Sequence, residues 1–208
     1  MKKFFTQLST LLAALLVTLN VSAQNLTKFD SKPGSKMKMD GTSSIHDWSA
    51  ESLVIAGSLE VDSAFLADPM AAKPGKIPAK VNVTLPVRSL KSGTKALDDR
   101  MYEAMKMTRF PKIEYRLTEL TLKEAPKAAT GPFTFDSAGE LAVSGVTNKV
   151  SFPVTITRGD DKGLKVHGAV PVKMTSFGIE PPGLILGIKT GDEVKLTFDW
   201  VTAPSEAK

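Results

Sequence analysis

The chain has 208 residues, 42% hydrophobic and 24% charged, a globular composition that excludes a disordered, collagenous or polytopic membrane chain. Its 27 basic and 22 acidic residues give a net charge of +5 with the cations scattered, too dilute for a phosphate-tracking surface, so no nucleic-acid partner is expected. The absence of cysteine removes disulfides, thiolate metal sites, a catalytic thiol and a lipidated N-terminal cysteine, leaving stability to a packed core.

Residues 1–23 read as an export signal. Lys2 and Lys3 give a positive start, 11–21 an apolar run, and Val21-Ser22-Ala23 a small-residue cleavage site before Gln24. A membrane anchor is the alternative, but the run is short for a span of about 20 residues and is interrupted by Thr18 and Asn20. The expected mature chain is 24–208, one periplasmic domain. Losing Lys2 and Lys3 leaves 25 basic against 22 acidic residues, a net charge of +3.

Alternation of apolar and polar residues then predicts strands over 35–42, 52–61, 80–85, 112–123, 139–143, 150–156, 164–173 and 193–201. Segments 67–78 and 124–132 read as surface connections. About eight short strands without helices between them favour a closed antiparallel barrel or a sandwich over a parallel sheet. The exception is 94–107, where Leu97, Met101, Ala104 and Met105 recur at helical spacing behind Asp98 and Asp99, predicting one amphipathic helix that ends before Pro111. Its methionines suit either core filling or an adaptable wall against a flexible ligand chain.

Catalytic chemistry is thinly supplied. The two histidines, His46 and His167, lie 121 positions apart without ligand-spaced carboxylates, so no metal site is expected. No nucleophile elbow, dinucleotide fingerprint or phosphate loop occurs, and His46-Asp47 is the one acid–base pair an enzyme would have to use. Ser43 to Asp47 reads better as a turn in which Asp47 bonds its own backbone, with His46 and Trp48 on opposite faces of an extended segment. The chain is therefore read as a non-enzyme. The barrel interior, where Trp48, Phe110, Phe152, Phe177 and Trp200 congregate, either packs solid or encloses one ligand.

Five motifs recur in order: Gly41-Thr-Ser-Ser-Ile-His-Asp-Trp-Ser49, Ser89-Leu-Lys-Ser-Gly93, Leu97-Asp-Asp-Arg-Met-Tyr-Glu-Ala-Met105 leading to Phe110-Pro-Lys-Ile-Glu-Tyr115, Gly139-Glu-Leu-Ala-Val-Ser-Gly-Val-Thr147 and Met174-Thr-Ser-Phe-Gly-Ile-Glu-Pro-Pro182. Together they resemble the YceI-like family. The resemblance implies an exported, lipocalin-like antiparallel β-barrel with a helix beside it. It further implies a long amphiphile held inside, a polyisoprenoid, an isoprenoid quinone or a fatty chain, for carriage or sequestration, with no cofactor beyond that ligand. Wall candidates are Trp48, Met101, Met105, Phe110, Phe152, Val154, Ile156, Met174 and Phe177, with His46 and Arg100 as head-group contacts. Many members carry a histidine in the first strand and in the helix start. This chain has Lys36-Met-Lys-Met-Asp40 and Leu97-Asp-Asp-Arg-Met101 there, which points to a subgroup built around His46-Asp47-Trp48. Expected partners are the amphiphile, a transient membrane or membrane-protein contact and a second copy of the chain. The competing reading is a packed, non-catalytic barrel that binds a protein near a membrane electron-transfer complex.

Overall fold

A computed structural model describes residues 25–159, 161–183 and 189–206; the expected export signal lies outside the described residues. In chain order the strands are β1 (Leu26–Ser31), β2 (Lys36–Ser43), β3 (Trp48–Ser52), β4 (Ala56–Asp62), β5 (Gly75–Lys76), β6 (Ala79–Pro86), β7 (Lys112–Leu122), β8 (Phe133–Val143), β9 (Val146–Arg158), β10 (Leu164–Lys173) and β11 (Thr190–Pro204). Helix α1 (Ser63–Ala67) follows β4, and α2 (Lys95–Ala104) lies between β6 and β7.

The register shows how these pieces make a barrel of eight strands. β1 and β2 both lie along the same side of β11, Phe29 opposite Pro204 and Lys36 opposite Asp199, so they form one strand broken at 32–35. Their partners β4 and β3 form the next strand, broken between Ser52 and Ala56. From there each strand pairs with its successor in sequence, and the β1–β11 pairing closes the ring. Closure leaves no long edge exposed for association. The sequence-derived barrel is therefore the observed one.

Period-two burial fixes which face turns inward. On β8, Phe133, Phe135, Ser137, Leu141 and Val143 are buried while the intervening residues are half-buried or exposed. The β8–β9 hairpin turns through Ser144 and Gly145, both with positive φ (51° and 80°), a two-residue turn whose twist matches the strands it joins.

One end of the barrel is sealed. Asp62 caps α1, accepting from the Phe65 N–H at 3.2 Å, and α1 carries Phe65 onto Phe133 and Phe135 at centroid distances of 5.3 and 5.8 Å, edge to face. Phe29, Val61, Leu122 and Leu164 complete this floor, and the Arg158 guanidinium donates to the Leu66 carbonyl beside it. At the other end α2 lies over the opening. The helix is shorter than the predicted 94–107: Met105 closes it, and Ser144 Oγ donates to the Met105 carbonyl at 2.7 Å. At its start Asp98 accepts from Ser92 N and Ser92 Oγ, each at 2.7 Å, and Tyr102 Oη donates to the Leu90 carbonyl at 2.6 Å.

Several differences from the sequence reading bear on the site. A second helix, α1, was not expected. β1 and β3 were not anticipated, the strand expected over 52–61 begins at Ala56, β8 begins at Phe133 rather than 139, and 67–78 contains β5 rather than only irregular connection.

Candidate ligand-binding cavity

The interior is hollow in two compartments. Between floor and midpoint lies a cavity of about 130 Å³, walled by Leu59, Val81, Phe152, Val154, Ile156 and Trp200 among others, with no charged side chain among its described lining residues. Above it, beneath α2, a second cavity of about 440 Å³ opens toward the mouth. Ile113 and Leu196 line both compartments. The inward residues Val81, Val83, Leu117, Val150 and Leu196 stay partly exposed although their strands turn them to the core, as a hollow interior requires.

Glycines shape this space. Phe198 sits opposite Gly168, where a Cβ would come within 2.6 Å of the ring; Trp48 sits opposite Gly41, where a Cβ would come within 2.2 Å. Both rings therefore lie flat against the wall instead of crossing the lumen. Phe152 bridges Tyr115 and Phe198, with centroids 5.6 and 5.9 Å away. The indole N–H groups are satisfied at the wall, Trp200 donating to Ser31 Oγ at 2.8 Å and Trp48 to the Thr42 carbonyl at 3.3 Å.

The sequence-derived candidates fall into three groups. Phe152, Val154 and Ile156 line the lower cavity. Trp48, Met101, Met105, Met174 and Phe177 line the upper one, with Met39 beside them, so the mouth wall is rich in unbranched thioethers. His46 and Arg100, both exposed, also border the upper cavity. Phe110 is elsewhere. Its ring covers Gly145, where a Cβ would come within 2.4 Å, and Arg109 stacks on it at 5.1 Å, so Phe110 steadies the β8–β9 turn and lines neither cavity.

The His46 segment also differs from expectation. His46 and Trp48 border the same cavity rather than opposite faces, because strand alternation begins only at Trp48 and His46 belongs to the preceding loop. Ser43, not Asp47, holds that turn: its Oγ donates to the His46 carbonyl at 2.6 Å and accepts from the His46 N–H at 3.2 Å. His167 projects outward from β10 with Nδ1 2.8 Å from Asp199 Oδ1, so the two histidines do not converge. Among the described residues no group of three or more His, Asp or Glu is placed to hold a metal ion.

Ile113, Tyr115, Leu196 and Phe198 also line the cavity without having been singled out. Their signal was present, since alternation within 112–123 and 193–201 puts them on the same faces as the buried residues. Burial raises the pKa of the Tyr115 phenol, partly offset by its hydrogen bond with Ser137, so it stays protonated at neutral pH.

An eight-strand barrel with a sealed floor, an apolar lumen and a helix at its mouth is a lipocalin-like fold. The YceI-like domain matches residues 20–202, and the chain belongs to that family. Burkholderia cenocepacia BcnA has the same fold, at 18% identity over 80% of this chain and 95% of that one, TM-score 0.62. So does a polyisoprenoid binding domain from Saccharophagus degradans implicated in plant cell wall breakdown, at 11% identity over 87% of this chain and 100% of that one, TM-score 0.63. A Campylobacter jejuni YceI protein aligns over 100% of both chains at 15% identity and TM-score 0.50. At such identities the likeness is one of fold. No curated protein matches the chain in sequence.

Proposed function

We propose that this protein is an exported, periplasmic carrier that holds the apolar chain of a long amphiphile inside its barrel, a polyisoprenoid, isoprenoid quinone or fatty chain, for carriage or sequestration. The observation that supports this most is the two-compartment apolar lumen, closed at the Phe65 floor and open beneath α2. Apolar surface withdrawn from water gains roughly 25 cal/mol per Å², so a chain threaded through such a lumen is held with few polar contacts. The methionines at the mouth repack around chains of differing shape. His46 and Arg100 stand where a polar head would emerge, and Ile45, 62% exposed in the same loop as His46, gives the mouth an apolar tip for contact with a membrane.

Loading and release are physical steps in this reading, without bond chemistry. The lower lumen presents hydrocarbon walls and one hydroxyl pair, not an acid–base pair beside a nucleophile. The hollow interior also weighs against a solidly packed barrel whose role is protein binding alone.

Both tryptophans of the chain line the cavity, Trp48 above and Trp200 below, which supplies a direct assay. A long-chain alcohol brominated at mid-chain should quench intrinsic fluorescence saturably at one molecule per chain. Quenching that never saturates, or that equals the quenching of free tryptophan, would overturn the proposal.

A further inference from the structure

The lower lumen is apolar except at one place. Tyr115 on β7 and Ser137 on β8 both face inward, with Tyr115 Oη 2.7 Å from Ser137 Oγ. Tyr115 sits opposite Leu141 in the ladder, two inward positions from Ser137 on β8, so the phenol runs along β8 toward the sealed end rather than across the barrel. Gly139 lies beneath the ring, where a Cβ would come within 2.5 Å of both Cζ and Oη. A side chain at 139 would keep the phenol from reaching Ser137. Ser137 is the last inward residue of β8 to line the cavity, for the next, Phe135, is 0% exposed and belongs to the floor. The hydroxyl pair therefore stands at the blind end of the lumen.

Two hydroxyls bring two O–H donors. One is spent between the two oxygens, and no other hydrogen bond joins either hydroxyl to a described residue. The second donor has no partner among the described residues, and both side chains line the lumen. A bare hydrocarbon occupant would leave it unanswered, and a phenylalanine with an alanine would suit such an occupant better. Joining β7 to β8 does not explain the pair, because ladder pairing already runs from Glu114–Ala142 to Leu122–Phe135.

We propose that the blind end of the lumen is a recognition site for an uncharged hydrogen-bond acceptor, such as a carbonyl oxygen, on the leading end of the ligand, read by Tyr115 and Ser137. This rests on the carrier reading and adds orientation and selectivity to it: the end of the chain that goes in first carries an uncharged acceptor of its own, while the head stays at the mouth. The acceptor is uncharged because a carboxylate or phosphate would arrive where no cation stands among the described lining residues to offset its desolvation.

The test uses two probes of equal length and branching, an isoprenoid methyl ketone and the hydrocarbon with a methylene in place of the carbonyl, each displacing the brominated alcohol. The intact protein should prefer the ketone by about tenfold, the worth of one buried hydrogen bond. The double variant Tyr115→Phe, Ser137→Ala should bind the two alike. A measurement on the unaltered protein guards against a variant that fails to fold: the infrared carbonyl stretch of the bound ketone should lie below its value in alkane solvent. Equal binding by the intact protein, a preference that survives in the folded double variant, or an unshifted carbonyl band would each overturn the proposal while leaving the carrier reading in place. Failure of both probes to bind would instead overturn the carrier reading, and this proposal with it.

Discussion

Leu196 offers a way to divide the cavity. With Ile113 it lines both compartments, and its side chain is partly exposed to the hollow interior, so a larger group has room there. Leu196→Trp should place an indole across the passage from mouth to lower lumen. Each methylene taken from water into apolar surroundings gains about 0.8 kcal/mol, roughly fourfold in affinity. For straight-chain alcohols the intact protein should therefore show affinity rising by about that factor per methylene until the chain end meets the floor, and then a plateau. In the variant the plateau should come earlier. Three methylenes denied the lower lumen amount to about 2.4 kcal/mol, or about 60-fold for the longest alcohol. Alcohols short enough to stay in the mouth should bind both proteins alike. Titration calorimetry across the series reads the plateau, and the heat capacity of binding should be less negative in the variant for long chains. Overpacking costs about 1–3 kcal/mol, so a denaturant melt must first show the variant folded. The same plateau length in both proteins would refute the argument that the chain passes Leu196.

Phe65→Ala should cost about 3–5 kcal/mol in urea unfolding, because it deletes a buried ring packed on Phe133 and Phe135; a loss below about 1 kcal/mol would mean that α1 is not the floor. Gly41→Ala should lift the Trp48 ring off β2 into the mouth, shifting its emission and weakening ligand binding, whereas an unchanged spectrum would contradict the wall-lying geometry. At Asp98, burial works against the carboxylate, but hydrogen bonds from Ser92 and the Lys91 ammonium 3.6 Å away outweigh it and hold the pKa below the ordinary value. A carboxyl lowered by folding stabilises above its unfolded pKa of about 3.9, and that contribution is lost as pH falls through the folded value. The stability gap between wild type and Asp98→Asn should thus be about 1–2 kcal/mol at neutral pH and shrink below about pH 4, and a gap independent of pH would contradict the assignment.

Most of the barrel was legible because its strands alternate, cleanly in 150–156 and in 112–117 up to the register shift between Leu117 and Glu119. β1 was not, since Leu26–Ser31 buries only Phe29 fully and so carries almost no period. The break between β3 and β4 was hidden by Leu53 and Val54, apolar residues that read as strand interior yet are 73% and 46% exposed. The true start of β8 was obscured because Asp136, Ser137 and Gly139 resemble turn residues, although the register makes Asp136 an outward position and Ser137 and Gly139 inward ones. α1 spans only five residues, too few to show helical spacing.

The cavity was harder to read than its walls. Period two tells which residues face inward, but whether inward rings fill the space depends on cross-strand neighbours. Gly168 opposite Phe198 and Gly41 opposite Trp48 decide that, and their pairing follows only once the register is known. Phe110 misled for the same reason: its seat on Gly145 comes from the end of the α2 connection meeting the β8–β9 turn, a contact no local pattern encodes.

The central claim is that the barrel carries an amphiphile, and mass spectrometry of an organic extract tests it most directly. The protein, purified without detergent from its own host, should yield one long isoprenoid or fatty species per protein chain. A folded Trp48→Ala, Phe152→Ala double variant, opened at the mouth and in the lower lumen, should lose it. An empty extract from well-folded protein that also takes up no brominated alcohol in solution would contradict the account.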